Sequence, residues 1–384
     1  MTNIYLTEEH LLLQKMVREF SNNELKPIAQ DIDKYSKFPK ESIHKISELG
    51  LMGIPWSQKY NGGGMDNLSL VIAIQEMAKC CVSTAVTVMA HTSLGSGPFA
   101  LFGNEKQKEH YLKKLSTGEM IGAFGLTEPN AGSDAGNTQT VATRKGDKFI
   151  VNGQKVFCTN AGVAGVIIFT AQIIENGENK GIGALFVDAG TKGLKLGAPE
   201  NKMGWKGSDT RSVYFDQMEI SADNMLGNPD RGFKQFLKTL TGGRITIAAL
   251  SLGICEAAYE ASLKYSSERI AFGKKINKFQ SVSFKLSDMA TQIEAARHLI
   301  YNAAWLKDKG ENIIKEAAMA KLYTSELAMR LTTDAIQIHG GFGYIREYNV
   351  ERFFRDSKIL EIGEGTSEIQ RIIIAREILK SIEY

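Results

Sequence analysis

Of the 37 glycines in this chain, 19 lie between Gly118 and Gly232, a segment shorter than a third of its 384 residues. Glycine carries a backbone-entropy cost inside regular elements, so this segment and its flanks must differ in architecture. Ahead of it the signals are helical. Thr7 can cap a helix whose Leu13, Met16, Val17 and Phe20 share one face, with Glu8 and Glu9 in the favourable first turn. Within the glycine-rich segment, Phe149–Val151 precedes the turn signal Asn152-Gly153. The short apolar runs Val166–Ala171, Ile182–Val187 and Val213–Phe215 are separated by turn residues. This pattern predicts an antiparallel β unit. Beyond Gly232, long periodic stretches over Ile245–Tyr265, Val282–Trp305 and Ile313–Ile338, broken at Gly310 and Gly340, predict helices again. The chain therefore divides into a helical part over 1–121, a β part over 122–232 and a helical part over 233–384, an α+β arrangement rather than a doubly wound sheet.

Several function classes fall away on composition. The 46 basic and 43 acidic residues leave a net charge of +3 with no long run of one sign, which gives no electrostatic basis for binding nucleic acid. The apolar stretches Val163–Ala171 and Ile245–Cys255 are shorter than the ~20 residues that cross a bilayer. The acidic N-terminus does not read as a secretion signal, so a soluble, cytoplasmic protein is expected. Cys80 and Cys81 are adjacent and Cys158 and Cys255 isolated, which offers neither a metal clip nor a disulfide framework. The six histidines form no HExxH-like pair, and no metal site is expected. No GxGxxG follows a predicted strand and no GxxxxGK[ST] occurs, which disfavours a Rossmann dinucleotide site and a P-loop.

Three clusters carry chemistry. In IGEGTSEIQRIIIARE, Ile362–Glu377, Gly363 and Gly365 flank Glu364, and Thr366 or Ser367 can cap the helix that follows. A carboxylate on such a turn can project into a cavity as a general base, although acidic residues also favour helix starts for local electrostatic reasons. In FGLTEPNAGSDAG, Phe124–Gly136, glycines and Pro129 expose main-chain donors, and Thr127 and Ser133 add hydroxyls. That set suits a polar heterocycle or phosphate, or else a plain surface loop. In NGQKVFCTNAG, Asn152–Gly162, Phe157 stands two residues from Thr159, so both can face one side of a sheet.

Taken in order along the chain, TEPNAGSD, FCTN, WKGSDTR, ERIAFG, QIHGGFGY and EGTSEIQR resemble the acyl-CoA dehydrogenase family over essentially the whole length. The resemblance implies an N-terminal α domain, a middle β domain and a C-terminal four-helix domain, assembled as a homotetramer with FAD as cofactor. It implies that Phe124, Leu126, Thr127 and Ser133 meet the flavin and its surroundings, with Phe157 and Thr159 beside the ring. Arg269, Phe272, Phe279 and Gln280, joined by Gln337 and Gly341, would reach the FAD of a neighbouring subunit, and a guanidinium suits a diphosphate. Thr366 and Glu368 would add further FAD contacts, while Ser133, Arg244 and Gly365 would lie on the substrate side. Glu364 would be the base that removes the α-proton of a short- to medium-chain acyl-CoA while FAD accepts hydride from the β-carbon. The electrons would pass to an electron-transfer flavoprotein.

Some relatives place the base immediately before an arginine matching Arg244, but that position is Gly243 here. Three departures from the family pattern concern the pocket: Gly363 replaces a common tyrosine, Phe157 a common tryptophan, and Thr241 an aspartate that often helps hold CoA. An oxidase, a monooxygenase, a branched-chain dehydrogenase and a non-catalytic scaffold relative are the rival readings. The chain length disfavours the oxidase, and the intact base disfavours the monooxygenase and the scaffold.

Overall fold

The computed structural model describes residues 4–380; the outermost residues of the expected terminal parts, 1–3 and 381–384, lie outside them. The first third holds helices α1 (Glu8–Phe20), α2 (Ala29–Tyr35), α3 (Lys40–Glu48), α4 (Asn67–Cys80), α5 (Val82–Met89), α6 (Gly97–Phe102), α7 (Glu105–Gln107) and α8 (Lys113–Thr117). Helix α1 begins where Thr7 predicted. The Thr7 hydroxyl accepts from the His10 N–H at 3.4 Å, and His10 Nδ1 accepts from the Thr7 N–H at 3.1 Å. A histidine thus completes the capping box that a glutamate usually closes. Leu13 and Val17 face inward, as the spacing requires.

The last third holds α9 (Gly232–Glu268), α10 (Gln280–Asp308), α11 (Ile314–His339), α12 (Val350–Ser357) and α13 (Ser367–Lys380). Long and apolar enough by composition to cross a membrane, α9 nevertheless has 83% of its apolar window buried inside the molecule. It is a core helix. One hydrophobic core runs from Leu13 on α1 through Val71 and Ile74 on α4 to Ala248 and Leu252 on α9, Ile300 on α10 and Leu327 on α11. The two helical thirds therefore pack as one body.

Between them lies a sheet of β1 (Gly122–Gly125), β2 (Val141–Lys145), β3 (Lys148–Thr159), β4 (Val166–Glu175), β5 (Glu178–Asp188), β6 (Leu194–Pro199), β7 (Thr210–Ser221) and β8 (Met225–Leu226). The spatial order is β6-β7-β3-β2-β4-β5-β8, with β1 also against β4. The sheet is mixed rather than purely antiparallel, because β4 runs parallel to both β1 and β2. The connection from β3 to β4 passes β2, which lies between them in the sheet. Strands β1 and β2 lie end to end along one edge of β4, facing Val166–Phe169 and Gln172–Ile174 respectively. Residues 126–140 are the excursion between these two halves of an interrupted strand, so the TEPNAGSD loop is held at both ends by one neighbour.

Asn152-Gly153 is not a hairpin turn. It sits inside β3 at a register shift, where a side chain at 153 would collide with Thr140. The hairpins are made instead by Gly146-Asp147 between β2 and β3 and by Asn176-Gly177 between β4 and β5, the latter with φ of 52° and 79°. Both residues of the second pair are left-handed, as a two-residue loop with the right twist demands.

Candidate active site

Two clusters lie where the sheet packs on the helical body. The first surrounds Phe157. A bulge in β3 between Lys155 and Cys158 gives Phe157 a φ of 57°, which is strained for a bulky side chain and costs about 1–3 kcal/mol. Cys158 turns inward, so Phe157 and Thr159 both face outward as their alternation predicted, and Phe157 is 66% exposed. The strained backbone thus presents an aromatic ring to the outside. The loop beside it is anchored from below. The Val156 N–H donates to the Thr127 carbonyl at 2.8 Å, and Phe124 stacks on Phe236 of α9 with centroids 4.2 Å apart.

A buried ion pair fixes the same loop. Lys155 is fully buried, and its Nζ donates to Glu128 Oε1 at 2.5 Å and to the Thr170 hydroxyl at 2.9 Å. Glu128 also accepts from the Gln139 N–H and from the N–H and hydroxyl of Thr140. Burial alone would raise its carboxyl, but the hydrogen bond and charge of Lys155 hold it below the ordinary range. With every site on the pair engaged, Leu126, Thr127 and the exposed Ser133 are carried on a pinned frame.

The second cluster is built on Glu364. Its φ of 53° and the 92° of Gly365 make a left-handed turn, which glycine adopts freely at 365 and glutamate only under strain. Helix α13 starts directly after it, with the Ile369 N–H donating to the Thr366 hydroxyl at 3.3 Å. Thr366 is therefore the cap. Gln370 Nε2 donates to the carbonyls of Glu364 and Gly365, at 3.3 and 2.8 Å, and Lys321 Nζ donates to that of Gly365 at 2.8 Å. The turn is thus held through its backbone while its side chain is left free. Glu364 Oε2 is buried without a hydrogen-bond partner among the described residues, as are Gln370 Oε1, Ser367 Oγ and the Nε of Arg244 nearby. Buried polar atoms are normally paired, so this concentration of unpaired ones marks a place that a ligand completes. Burial pushes the Glu364 carboxyl up to about 7, opposed by the positive charges of Lys321 and Arg244.

Gly243 explains where the carboxylate can lie. A Cβ built at 243 would stand 2.3 Å from Glu364 Oε2 and 3.2 Å from Leu94 Cδ2. The base position that some relatives use and the space filled by the Glu364 carboxylate are therefore mutually exclusive in this chain. Arg244 is buried, with Nη1 donating to the Thr241 hydroxyl at 3.3 Å and no ion-pair partner among the described residues. Glu368 is exposed on the first turn of α13; its own backbone N–H and the Thr366 hydroxyl lower its carboxyl.

A π-helical stretch, Ala90–Ser96, links the two clusters, as such distortions often do at functional sites. It places Leu94 beside Glu364, and Gly95 packs against Gly122 of β1 so tightly that a Cβ at either would overlap the other's backbone. His91 is fully buried, its Nδ1 accepting from the Gly122 N–H at 3.0 Å and its Nε2 donating to the Leu115 carbonyl at 2.9 Å. Burial pulls this imidazole down to about 4, so it stays neutral and acts as a fixed bracket for β1.

The remaining predicted residues form a separate surface. Arg269 lies over the Phe342 ring at 5.7 Å and lines a groove of about 460 Å³ with Tyr265, His339 and Gly341. Phe272 is 96% exposed at a φ of 51°, on a hairpin of β9 (Ile270–Ala271) and β10 (Lys274–Lys275), with Phe279 edge-on at 6.1 Å. Gln280 and Gln337 are exposed. No hydrogen bond, ion pair or ring contact among the described residues joins this surface to Glu364 or Phe157.

Residues 7–119, 123–218 and 230–379 match the N-terminal, middle and C-terminal domains of acyl-CoA dehydrogenase. The chain belongs to the acyl-CoA dehydrogenase family. It is 46% identical over 375 residues to the short-chain specific acyl-CoA dehydrogenase of Clostridium acetobutylicum, covering 98% of this chain and 99% of that one. The structure of butyryl-CoA dehydrogenase from Megasphaera elsdenii superposes with a TM-score of 0.95 at 42% identity, over 98% of this chain and 100% of that chain. A chain in a structure described as the electron transferring flavoprotein of Acidaminococcus fermentans gives 0.96 at 42% identity, over 98% and 100%. The protein is an acyl-CoA dehydrogenase and an oxidoreductase, and FAD is its cofactor. The outward Phe157 ring, the hydroxyls of Thr127 and Thr159 and the buried, unpaired Asn160 Oδ1 next to them fit a flat heterocycle with polar edges.

Sequence reasoning did not find Lys321, Gln370, Leu94 or His91. A signal existed for Lys321, which shares a helical face with Ala317, Thr324 and Ala328, all buried, and so stands as a charge on an apolar stripe.

Proposed function

We propose that this acyl-CoA dehydrogenase acts on short- to medium-chain acyl-CoA, forming the trans-2-enoyl-CoA, with Glu364 as catalytic base. The observation that carries the reading is the buried, unpartnered Oε2 of Glu364 on a turn whose two carbonyls are both engaged. A general base must meet its proton without a competing partner and must not drift. None of the described hydrogen bonds uses the Glu364 N–H, so this donor is available to the thioester carbonyl, where negative charge develops as the α-proton leaves. When bound, FAD supplies the acceptor for the hydride that leaves the β-carbon.

In this reading the cluster around Phe157, with Phe124, Leu126, Thr127, Ser133 and Thr159, holds the flavin, and Thr366 and Glu368 add contacts from the far side. Ser133, Arg244 and Gly365 border the substrate. The exposed surface of Arg269, Phe272, Phe279, Gln280, Gln337 and Gly341 serves a neighbouring subunit's FAD, which fits a homotetramer of chains divided at 121/122 and 232/233. The electron-transferring flavoprotein that names one solved relative supports such a protein as the electron acceptor here. Short acyl chains are favoured by the short-chain and butyryl specificities in the names of the relatives. A branched chain is the alternative, because a side chain at Gly363 would meet only Ile359, at 3.4 and 3.9 Å, and the family's common tyrosine is missing from that wall.

A panel of straight, α-branched and β-branched acyl-CoAs, assayed with an artificial electron acceptor, tests the reading. The highest kcat/KM is expected on a straight chain of short or medium length. A clear preference for a branched chain would replace the substrate assignment, and no turnover with any acyl-CoA would overturn it.

A further inference from the structure

Lys321 is a fully buried lysine that the chemistry above leaves unused. Burying an ammonium costs several kcal/mol unless it is paired, yet among the described residues no carboxylate lies within ion-pair distance of it. Its one hydrogen bond among the described residues goes to the carbonyl of Gly365, at 2.8 Å, the residue directly after Glu364. Gln370 donates to the same carbonyl, so two donors from different helices hold one peptide group. That peptide closes a turn in which Glu364 and Gly365 both have positive φ, and a flip or slide there would re-aim the Glu364 carboxylate.

We propose that Lys321 is a positioning residue: its ammonium clamps the Glu364–Gly365 turn through the Gly365 carbonyl and keeps the carboxylate aimed at the α-carbon. The inference rests on Glu364 being the base and adds to that reading the group that holds it in place. Electrostatics point the same way. Burial draws the Lys321 ammonium down to about 8, and of the surrounding charges Glu364 acts on it most, followed by Arg244 of α9, Glu361 ahead of the turn and Glu326 of α11. The positive charge of Lys321 in turn opposes the rise that burial imposes on Glu364, with Arg244 acting in the same sense. Losing the ammonium should therefore both loosen the base and raise the pH at which it ionises.

The test uses the FAD-loaded enzyme and three variants: Lys321→Met, which keeps the volume without a donor; Lys321→Gln, which keeps a donor without charge; and Glu364→Gln as reference. Flavin reduction by a saturating acyl-CoA is followed anaerobically across pH. Lys321→Met is expected to retain FAD and to bind acyl-CoA within about threefold of wild type. Its reduction rate should fall about tenfold to a hundredfold, the scale of a misplacement near 1 Å, with the pH midpoint moved upward. Lys321→Gln should recover part of the rate but keep the raised midpoint. Wild-type rate and midpoint in both lysine variants, with Glu364→Gln inactive, would overturn the positioning role alone. Failure of both lysine variants to fold would also overturn it, because the lysine would then be structural. Activity in Glu364→Gln would instead remove the reading on which the inference stands.

Discussion

Replacing Gly243 by alanine separates catalysis from stability at a single methyl group. The added Cβ would stand 2.3 Å from Glu364 Oε2, whereas Cβ atoms come no closer than 3.0 Å to other atoms. The carboxylate must therefore retreat by at least the difference, 0.7 Å, because the helix backbone at 243 lies in the buried core of α9 and cannot yield instead. A displacement near 1 Å at a reacting centre costs about a hundredfold in rate, so a loss of about tenfold to a hundredfold in flavin reduction is expected. Stability should move the other way or stay level, since alanine in a helix interior gains about 0.5–1 kcal/mol over glycine. The assay pairs anaerobic stopped-flow bleaching of the flavin by acyl-CoA with the melting temperature of the same preparation. A Gly243→Ala enzyme that bleaches within threefold of wild type would refute the placement of the base over Gly243. One that loses both rate and FAD would instead show general disruption of the pocket.

Other perturbations have equally definite outcomes. Lys155→Met leaves Glu128 charged and buried with no cation, which should cost about 3–5 kcal/mol and lower the melting temperature of holo- and apoprotein alike; an unchanged melting temperature would contradict the burial of this pair. Arg269→Ala should weaken FAD retention and oligomerisation together, and light scattering that shows an unchanged assembly with full FAD occupancy would contradict the shared-cofactor surface. For the free enzyme, kcat/KM should fall about tenfold per pH unit below about 7, because protonating Glu364 removes the base; a profile flat down to pH 5 would place the titrating group elsewhere.

Much of this arrangement could be read from local sequence. The Glu364 turn was visible because Gly363 and Gly365 bracket a carboxylate directly before a helix. Thr7 announced α1, and the apolar runs within β4, β5 and β7 lay where turn residues bounded them. Long-range features left weaker marks. Asn152-Gly153 carries the same short-range turn signal as Asn176-Gly177, yet the pairing of β3 with both β2 and β7 keeps the first dipeptide in a strand at a register shift, while the second makes the β4–β5 hairpin. The parallel pairing of β4 with β1 and β2 depends on a crossover that no periodicity encodes. His91 and Gly95 act through a π-helical distortion that brings them to Gly122, a long-range contact made by one buried hydrogen bond and close backbone packing. The FAD-facing role proposed for Phe157 rests on family likeness; its own local signature is a positive φ, which a sequence does not display.

The role proposed for Glu364 is tested most directly by one measurement. Glu364→Gln preserves the shape of the side chain but cannot accept a proton. Mixed anaerobically with an acyl-CoA that the wild type oxidises, the FAD-loaded variant should bind substrate and keep its yellow colour, its rate of bleaching lower by about 10⁴-fold or more. Bleaching within tenfold of the wild-type rate would show that another group removes the α-proton and that the unpaired carboxylate over Gly243 is not the base.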